Sequence, residues 1–260
     1  MRAGFVGVVM IVLLAGCQAD IPGDSGPDFS VTPAPYVPVP GVSTEGIEDI
    51  DQLARAHEQA LAGRSYTVHM NLTVHRPNGT VRGGSSTQIQ VGPDHERFWL
   101  ASTSFGDYPF DGTAQPDVDA WSNGSTTFLR RTHPDRIVYR AYDTADTGWD
   151  QAPPDGATIR AYLGGWDRVT VTDRDREDGA RYHVTAAEGS RSMEAAILDS
   201  GLVFEFTAVR PAASFVRLEV AGRATYAVRY ELVGETSVER PPWLDEAIRV
   251  TRNQTYVGQG

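Results

Sequence analysis

The single cysteine of this 260-residue chain, Cys17, follows Leu14-Ala15-Gly16. A lone thiol cannot close a disulfide within the chain. As a thiolate it can attack a lipid donor and become acylated, and the small residues ahead of it leave the preceding peptide bond open to a peptidase. Other residue types invite other chemistry. Asp107, Asp111, Asp117 and Asp119 cluster in a stretch rich in glycine and proline. Paired carboxylates serve general acid–base catalysis, but no nucleophile or metal-ligand spacing flanks these four, so a solvated loop is expected. The run Asp173-Arg174-Asp175-Arg176-Glu177-Asp178-Gly179 has the charge of a calcium loop. An EF-hand needs glycine at its sixth position and glutamate at its twelfth, where this chain has Asp178 and Val184. A charged turn is expected instead. His69 and His75 fall on one side of a strand about 20 Å apart, too far to share a metal. His95, His133 and His183 are scattered, and His57 sits on an apolar helical stripe, as a partly buried, hydrogen-bonded histidine would. No zinc-protease, nucleophile-elbow, phosphate-loop or dinucleotide fingerprint occurs. The expectation is a protein that is not an enzyme and carries neither cofactor nor metal.

Around Cys17 the pattern is specific. Arg2 gives a positive start, Phe5–Leu14 is an apolar run, and Leu14-Ala15-Gly16-Cys17 matches the lipobox of bacterial and archaeal lipoprotein signals. The run is shorter than the roughly 20 residues that span a bilayer. Residues 1–17 are therefore expected to be a lipoprotein signal peptide ending at lipobox Cys17. The partner implied is a membrane reached through a lipid anchor, with the chain facing the exterior. Two acyl chains, at about 0.8 kcal/mol per buried methylene, would hold it there stably. Residues 18–43 are dominated by proline, glycine, serine and aspartate, the composition of a disordered tether. Four N-x-Ser/Thr triplets begin at Asn71, Asn78, Asn123 and Asn253. In an exported chain they are glycosylation candidates, Asn78 and Asn123 foremost because they lie in turns.

Composition narrows the partners. There are 34 acidic residues against 23 basic ones, and all the basic ones are arginine. A net charge of −11 argues against nucleic acid, whose phosphates need a basic patch. Acidic, lysine-free composition is similar to that of proteins from salt-loving archaea, where surface carboxylates keep the chain soluble. A GC-rich genome is the other explanation. Without disulfides the folded part relies on its core, which a domain of about 200 residues can supply. A monomer is expected.

Those residues need elements to hold them. Ile47, Ile50, Ala54, His57 and Leu61 recur at helical spacing, so residues 44–63 are expected to be a helix. Tyr66, Val68, Met70, Leu72 and Val74 alternate with polar residues and mark a strand with one apolar face. Strands are expected at 85–91, 97–105, 120–121, 126–130, 136–142, 166–172, 180–187, 191–198, 202–209, 216–220 and 226–232. Asn78-Gly79 and Asn123-Gly124 are hairpin signals. Short helices are expected at 154–163 and 244–248. The pattern predicts one α+β domain over 44–254, a strongly curved antiparallel β-sheet of about ten strands, a half-barrel wrapped around a few helices. Its inner face would carry Tyr66, Val68, Met70, Leu72, Phe98, Leu100, Phe204, Phe206, Leu218, Tyr226, Val228 and Tyr230. These either pack against the helices or line a cavity for an apolar ligand such as a lipid tail.

The lipobox, the proline-rich tether, the opening Leu53-Ala54-Arg55-Ala56-His57-Glu58-Gln59-Ala60-Leu61, the hairpin Ser200-Gly201-Leu202-Val203-Phe204-Glu205-Phe206 and the late Arg240-Pro241-Pro242-Trp243-Leu244-Asp245-Glu246-Ala247 resemble a family of haloarchaeal lipoproteins. The strand layout is in turn similar to LolA/LppX-type half-barrels, which carry lipids or lipoproteins. The resemblance implies a membrane-anchored extracytoplasmic lipoprotein that binds or carries a hydrophobic ligand. The alternative is a structural or interaction protein of the cell envelope with a packed core and no ligand.

Overall fold

A computed structural model describes residues 39–109, 115–146, 156–173, 180–214 and 221–252. Cys17, residues 18–38 of the tether expected over 18–43, Asp111, residues 174–179 of the acidic turn, Leu218 with the strand expected around it, and Asn253 lie outside the described residues. The end of that expected tether is ordered, with Val39 and Val42 buried in the core.

The expected first helix begins later than its apolar spacing suggests. Val42–Ser43 (β1) pairs with Gly46–Ile47 (β2), and the helix α1 spans Ile50–Leu61. Ile47 is in phase with the helical stripe, but its backbone is taken up by pairing with Val42. Asp49 then caps the helix, its Oδ1 accepting from the Gln52 backbone N–H at 2.9 Å, which satisfies one of the orphan donors of the first turn.

Ten strands follow in chain order to the first long return of the sheet and beyond. They are β3 (Tyr66–His75), β4 (Val81–Val91), β5 (Arg97–Gly106), β6 (Asp117–Asn123), β7 (Thr126–Thr132), β8 (Ile137–Asp143), β9 (Thr170–Asp173), β10 (Ala180–Glu188), β11 (Arg191–Leu198) and β12 (Val203–Pro211). With β13 (Arg223–Glu231) they form one open, curved, antiparallel 11-stranded sheet in the order β8-β7-β6-β5-β4-β3-β13-β12-β11-β10-β9. The fold is therefore the expected α+β curved sheet. The last strand, β13, closes between β3 and β12 and joins the two meanders. Register shifts in the β3–β4, β10–β11 and β11–β12 pairs are bulges of the kind that bend a sheet. Close approach adds to this at Gly84, where a Cβ would lie 1.9 Å from the Leu72 carbonyl oxygen; only glycine fits there.

Two readings shift at the second helix, α2 (Gly156–Leu163). Strand β9 starts at Thr170 rather than 166, because Trp166 turns back and donates its Nε1–H to the Tyr162 carbonyl at 3.1 Å. The helix is tied to α1 by Arg160 Nε donating to Asp51 at 2.6 Å and by Glu58 accepting the Gly156 N–H at 3.0 Å.

Register assigns the faces. Residues directly opposite in an antiparallel pair share a face, so Tyr230, Val68, Ile89, Leu100, Ala120 and Leu129 run across six strands on one side. On this inner face α1 and α2 pack, burying Leu53, Ala54, Leu61, Ile159 and Leu163. The third helix, α3 (Leu244–Thr251), does not join them. Its Leu244 and Ala247, with Trp243, pack on Trp121, Phe128 and Tyr139, which alternate out of phase with Ala120 and Leu129 and so lie on the outer face. The half-barrel thus encloses two helices and carries the third outside.

Candidate functional site

The inner face divides into a filled part and an open part. Under α1 the walls are dry. Val68, Val91, Val184, Ile197 and Val203 of the sheet and Leu53, Ala54, His57 and Ile159 of the helices have 0% of their surface exposed. A void able to hold a water would leave accessible surface on its lining, so the space among these residues is filled by side chains. Tyr66, Phe206, Val228 and Tyr230 belong to the same cluster and are buried.

His57 is the polar centre of that core. The Val203 backbone N–H can only donate, and it meets His57 Nδ1 at 3.2 Å. Nδ1 is therefore the bare nitrogen and Nε2 carries the proton, which it donates to the Tyr230 hydroxyl at 3.2 Å. The ring stands edge-on to Tyr230, with centroids 5.1 Å apart. Tyr230 lies beside Tyr66, and Tyr66 edge-on to His95. The Nε2 of His95 faces the carbonyls of Leu61 and Arg64, each at 3.1 Å, and so is the donor. This histidine–tyrosine chain fastens the end of α1 to the sheet.

At α2 the character changes. Tyr162 stacks on Tyr226 at 4.9 Å, and both lie beside Phe206. The Tyr226 hydroxyl donates to Met70 Sδ at 3.4 Å. Arg210 lies over the Tyr162 ring at 5.0 Å and donates to the Ala161 carbonyl at 2.6 Å, near the negative end of the helix. Beyond this cluster the inner face is less deeply buried among the described residues. Met70, Leu72, Thr87, Leu100, Ser102 and Val118 are only half-buried. Register places Met70, Thr87, Ser102 and Val118 in one row, with Leu100 beside it. Thr87 and Ser102 hydrogen-bond each other at 2.8 Å, so the polar pair on this strip is satisfied. Its far side is the small cluster of Phe98, Ala120 and Leu129, against which Leu100, Val118 and Tyr142 pack.

Of the expected inner-face residues, Tyr66, Val68, Phe206, Val228 and Tyr230 lie in the main core, with Met70, Leu100, Phe204 and Tyr226 packed against it. Leu72 joins a separate cluster with Val74, Ala212 and Ala224, and Phe98 belongs to the β5–β7 cluster. Thr87 and Ser102 are not apparent from alternation, because hydroxyl residues read as a wet face. Val118 is not because the stretch holding Asp117 and Asp119, expected to be a solvated loop, is instead the start of β6. Their signal was the register against Met70 and Leu100.

Burial leaves a titration signature. It pushes the Tyr66 phenol up to about 12 from its ordinary 10. It also raises Tyr226, with Tyr162 adding to the effect, and raises Tyr162 itself against the opposing charge of Arg210. Below pH 10 these phenols are protonated in both folded and unfolded chains, and their contribution to stability is fully present. Above pH 10 the unfolded chain ionises first, so stability is lost as pH rises towards the folded value of about 12. Circular dichroism should show cooperative unfolding in that window, together with a step in phenolate absorbance. Gradual ionisation of every tyrosine near pH 10, with the fold intact, would contradict the buried placement.

The polar candidates do not converge. Asp107 pairs with Arg76 at 3.1 Å and Arg82 at 3.8 Å, while Asp119 pairs with Arg130 at 2.7 Å. His69 faces Glu231 at 3.5 Å and His75 faces the Gly79 carbonyl at 3.3 Å. Among the described residues no group of three or more histidines, cysteines or acids is placed to hold a metal ion. A shallow outer groove of about 360 Å³ is lined by His69, Asn71, His183, Glu194, Glu205 and Arg229, and it is floored by Ala196 and Ala227. Among the described residues no helix is long and apolar enough to cross a membrane.

No protein-family model matches the chain, and no curated protein matches it. Solved structures aligned with it include a DUF1329 family protein from Desulfovibrio piger, 11% identical over 75% of this chain and 94% of that one, with a TM-score of 0.27. A β-barrel-like protein of domain DUF1849 from Brucella abortus is 10% identical over 68% of this chain and 98% of that one, with a TM-score of 0.19. A domain from Vibrio parahaemolyticus named for outer membrane lipoprotein sorting is 9% identical over 77% of this chain and 95% of that one, with a TM-score of 0.20. Likeness of this degree bears on no functional conclusion.

Proposed function

We propose that this chain is a non-enzymatic lipoprotein, exported and held at the outside of a membrane by acylated Cys17, whose half-barrel binds a hydrophobic ligand such as a lipid tail. It acts as a monomer. The observation that carries the ligand is the strip of Met70, Thr87, Leu100, Ser102 and Val118, continuous with the core yet only half-buried among the described residues. The site lies on this strip rather than under α1, where the side chains leave no room. Tyr162 and Tyr226 form its wall at the helix end, giving flat apolar surface at little cost in side-chain freedom.

Binding of a fluorescent fatty acid to the full chain tests this. The wild-type protein should bind it saturably. Val118→Asp sets a carboxylate on the strip, outside the core packed under α1, and, with native folding verified by circular dichroism, should weaken binding by about tenfold or more, equivalent to about 1.4 kcal/mol. Equal binding by the variant, or none by the wild type, would contradict the reading. The dry packing beneath α1 favours a second reading, a structural or interaction module of the cell envelope whose inner face is all core. In that case Val118→Asp changes stability and the fatty acid never binds.

A further inference from the structure

We propose that Asn78 and Asn123 are N-glycosylated, and that Asn71 is not. The inference rests on the proposed export of the chain, because the sugar donor acts outside the cytoplasm. Both asparagines are exposed at hairpin ends, Asn78 between β3 and β4 and Asn123 as the last residue of β6, where the chain turns to β7. Their amides are oriented by backbone N–H donors. At Asn78 the Thr80 backbone N–H approaches at 3.1 Å and the Thr80 hydroxyl at 2.8 Å. At Asn123 the backbone N–H groups of Ser125 and Thr126 approach at 3.0 and 2.8 Å, and the Ser125 hydroxyl at 3.0 Å. A backbone N–H can meet only an acceptor, so the facing atom is Oδ1 in both side chains. Nδ2, the atom that would take the sugar, is thereby turned away from the turn. The hydroxyl at the third position of each triplet is the group that the N-x-Ser/Thr pattern requires. By donating to Oδ1 it draws charge onto oxygen and makes the Nδ2–H easier to remove.

The reaction is a substitution at the anomeric carbon of a lipid-phosphate-linked sugar. The Nδ2–C1 bond forms, the C1–O bond to the lipid phosphate breaks, the phosphate leaves with the electron pair, and the Nδ2 proton passes to a base of the transferase. Space differs between the two tips. Nothing lies within 4 Å of a Cβ built on Gly79, whereas one built on Gly124 meets the Glu96 carboxylate at 3.2 Å. Occupancy should therefore be higher at Asn78. Asn71 carries the same triplet and is exposed, but it lies mid-strand in β3, paired with Ala227 on one side and Ser86 on the other. Its backbone cannot form the turn that the two tips share.

Peptide-level mass spectrometry of the full chain, purified from the membranes of the cells that make it, tests the assignment. Carbohydrate mass is expected on the peptides holding Asn78 and Asn123 and not on that holding Asn71. Asn78→Gln and Thr80→Ala should each remove the first increment, and Asn123→Gln the second. Bare Asn78 and Asn123 on a chain that carries lipid on Cys17 would overturn the proposal alone. A chain lacking both lipid and sugar would overturn it together with the export reading, and sugar on Asn71 instead of the tips would overturn the geometric argument.

Discussion

Replacing Cys17 by serine is expected to release the protein from the membrane. The wild-type chain should sediment with membranes, resist extraction by salt, and carry lipid on the residue-17 peptide. C17S should appear in the soluble fraction or persist as an uncleaved precursor, without that lipid. The size of the effect follows from the chains lost. Each buried methylene contributes about 0.8 kcal/mol, so two acyl chains of roughly a dozen methylenes exceed any contribution of the acidic surface. At a net charge of −11 the polypeptide has no electrostatic means of staying on an anionic bilayer. Unchanged membrane association of C17S, with an unmodified thiol in the wild type, would remove the lipid anchor from the account.

The second large effect is expected at His57. Truncation by His57→Ala empties a fully buried position and removes one hydrogen bond from each of two partners. The Val203 N–H loses its acceptor, and the Tyr230 hydroxyl loses the Nε2–H. Large-to-small core changes cost about 2–5 kcal/mol, and an orphaned buried donor costs a further 1–3 kcal/mol or so. A loss of about 4 kcal/mol would lower the melting temperature by about 10 °C in a domain of this size. His57→Phe fills most of the volume but still strands the Val203 N–H, so it should recover only part of the loss. A variant melting within a degree or two of wild type would mean that the ring is not the polar keystone of the inner core.

Much of this architecture was legible in the chain because its signals are local. The strict alternation of Tyr66–His75 and of Tyr226–Glu231 fixes both strands and the face each presents, and register then pairs them as Tyr226 with Leu72 and Tyr230 with Val68. Asn78-Gly79 and Asn123-Gly124 set two hairpins at their observed places, with positive φ at both glycines. His57 was readable as a hydrogen-bonded histidine on the apolar stripe, though its burial is complete rather than partial. What failed depended on distant partners. Ile47 is in phase with α1, and only its pairing with Val42 excludes it from the helix. Trp99, Trp121, Phe128 and Tyr139 are out of phase with the inner set, and alternation alone gives no reason for a second apolar face. That reason is α3, which arrives from more than a hundred residues later in the chain and covers Trp121, Phe128 and Tyr139.

The candidate site shows the same division. Met70, Leu72 and Leu100 were visible as apolar positions of one face, but nothing local separates them from Val68 and Val228, which are fully packed. The difference is tertiary: Val68 and Val228 belong to the buried cluster that the helices complete, whereas Met70 and Leu100 lie at its margin. Thr87 and Ser102 belong to the strip because each satisfies the other across β4 and β5. A reading of one strand at a time assigns both to solvent.

Native mass spectrometry of the full chain, extracted gently from membranes, decides whether the half-barrel holds a lipid. A species heavier than the acylated polypeptide by one noncovalently held lipid is expected, with that extra mass disappearing when the protein is unfolded. The same mass before and after unfolding, with no lipid beyond the one on Cys17, would contradict it and leave the inner face as core alone.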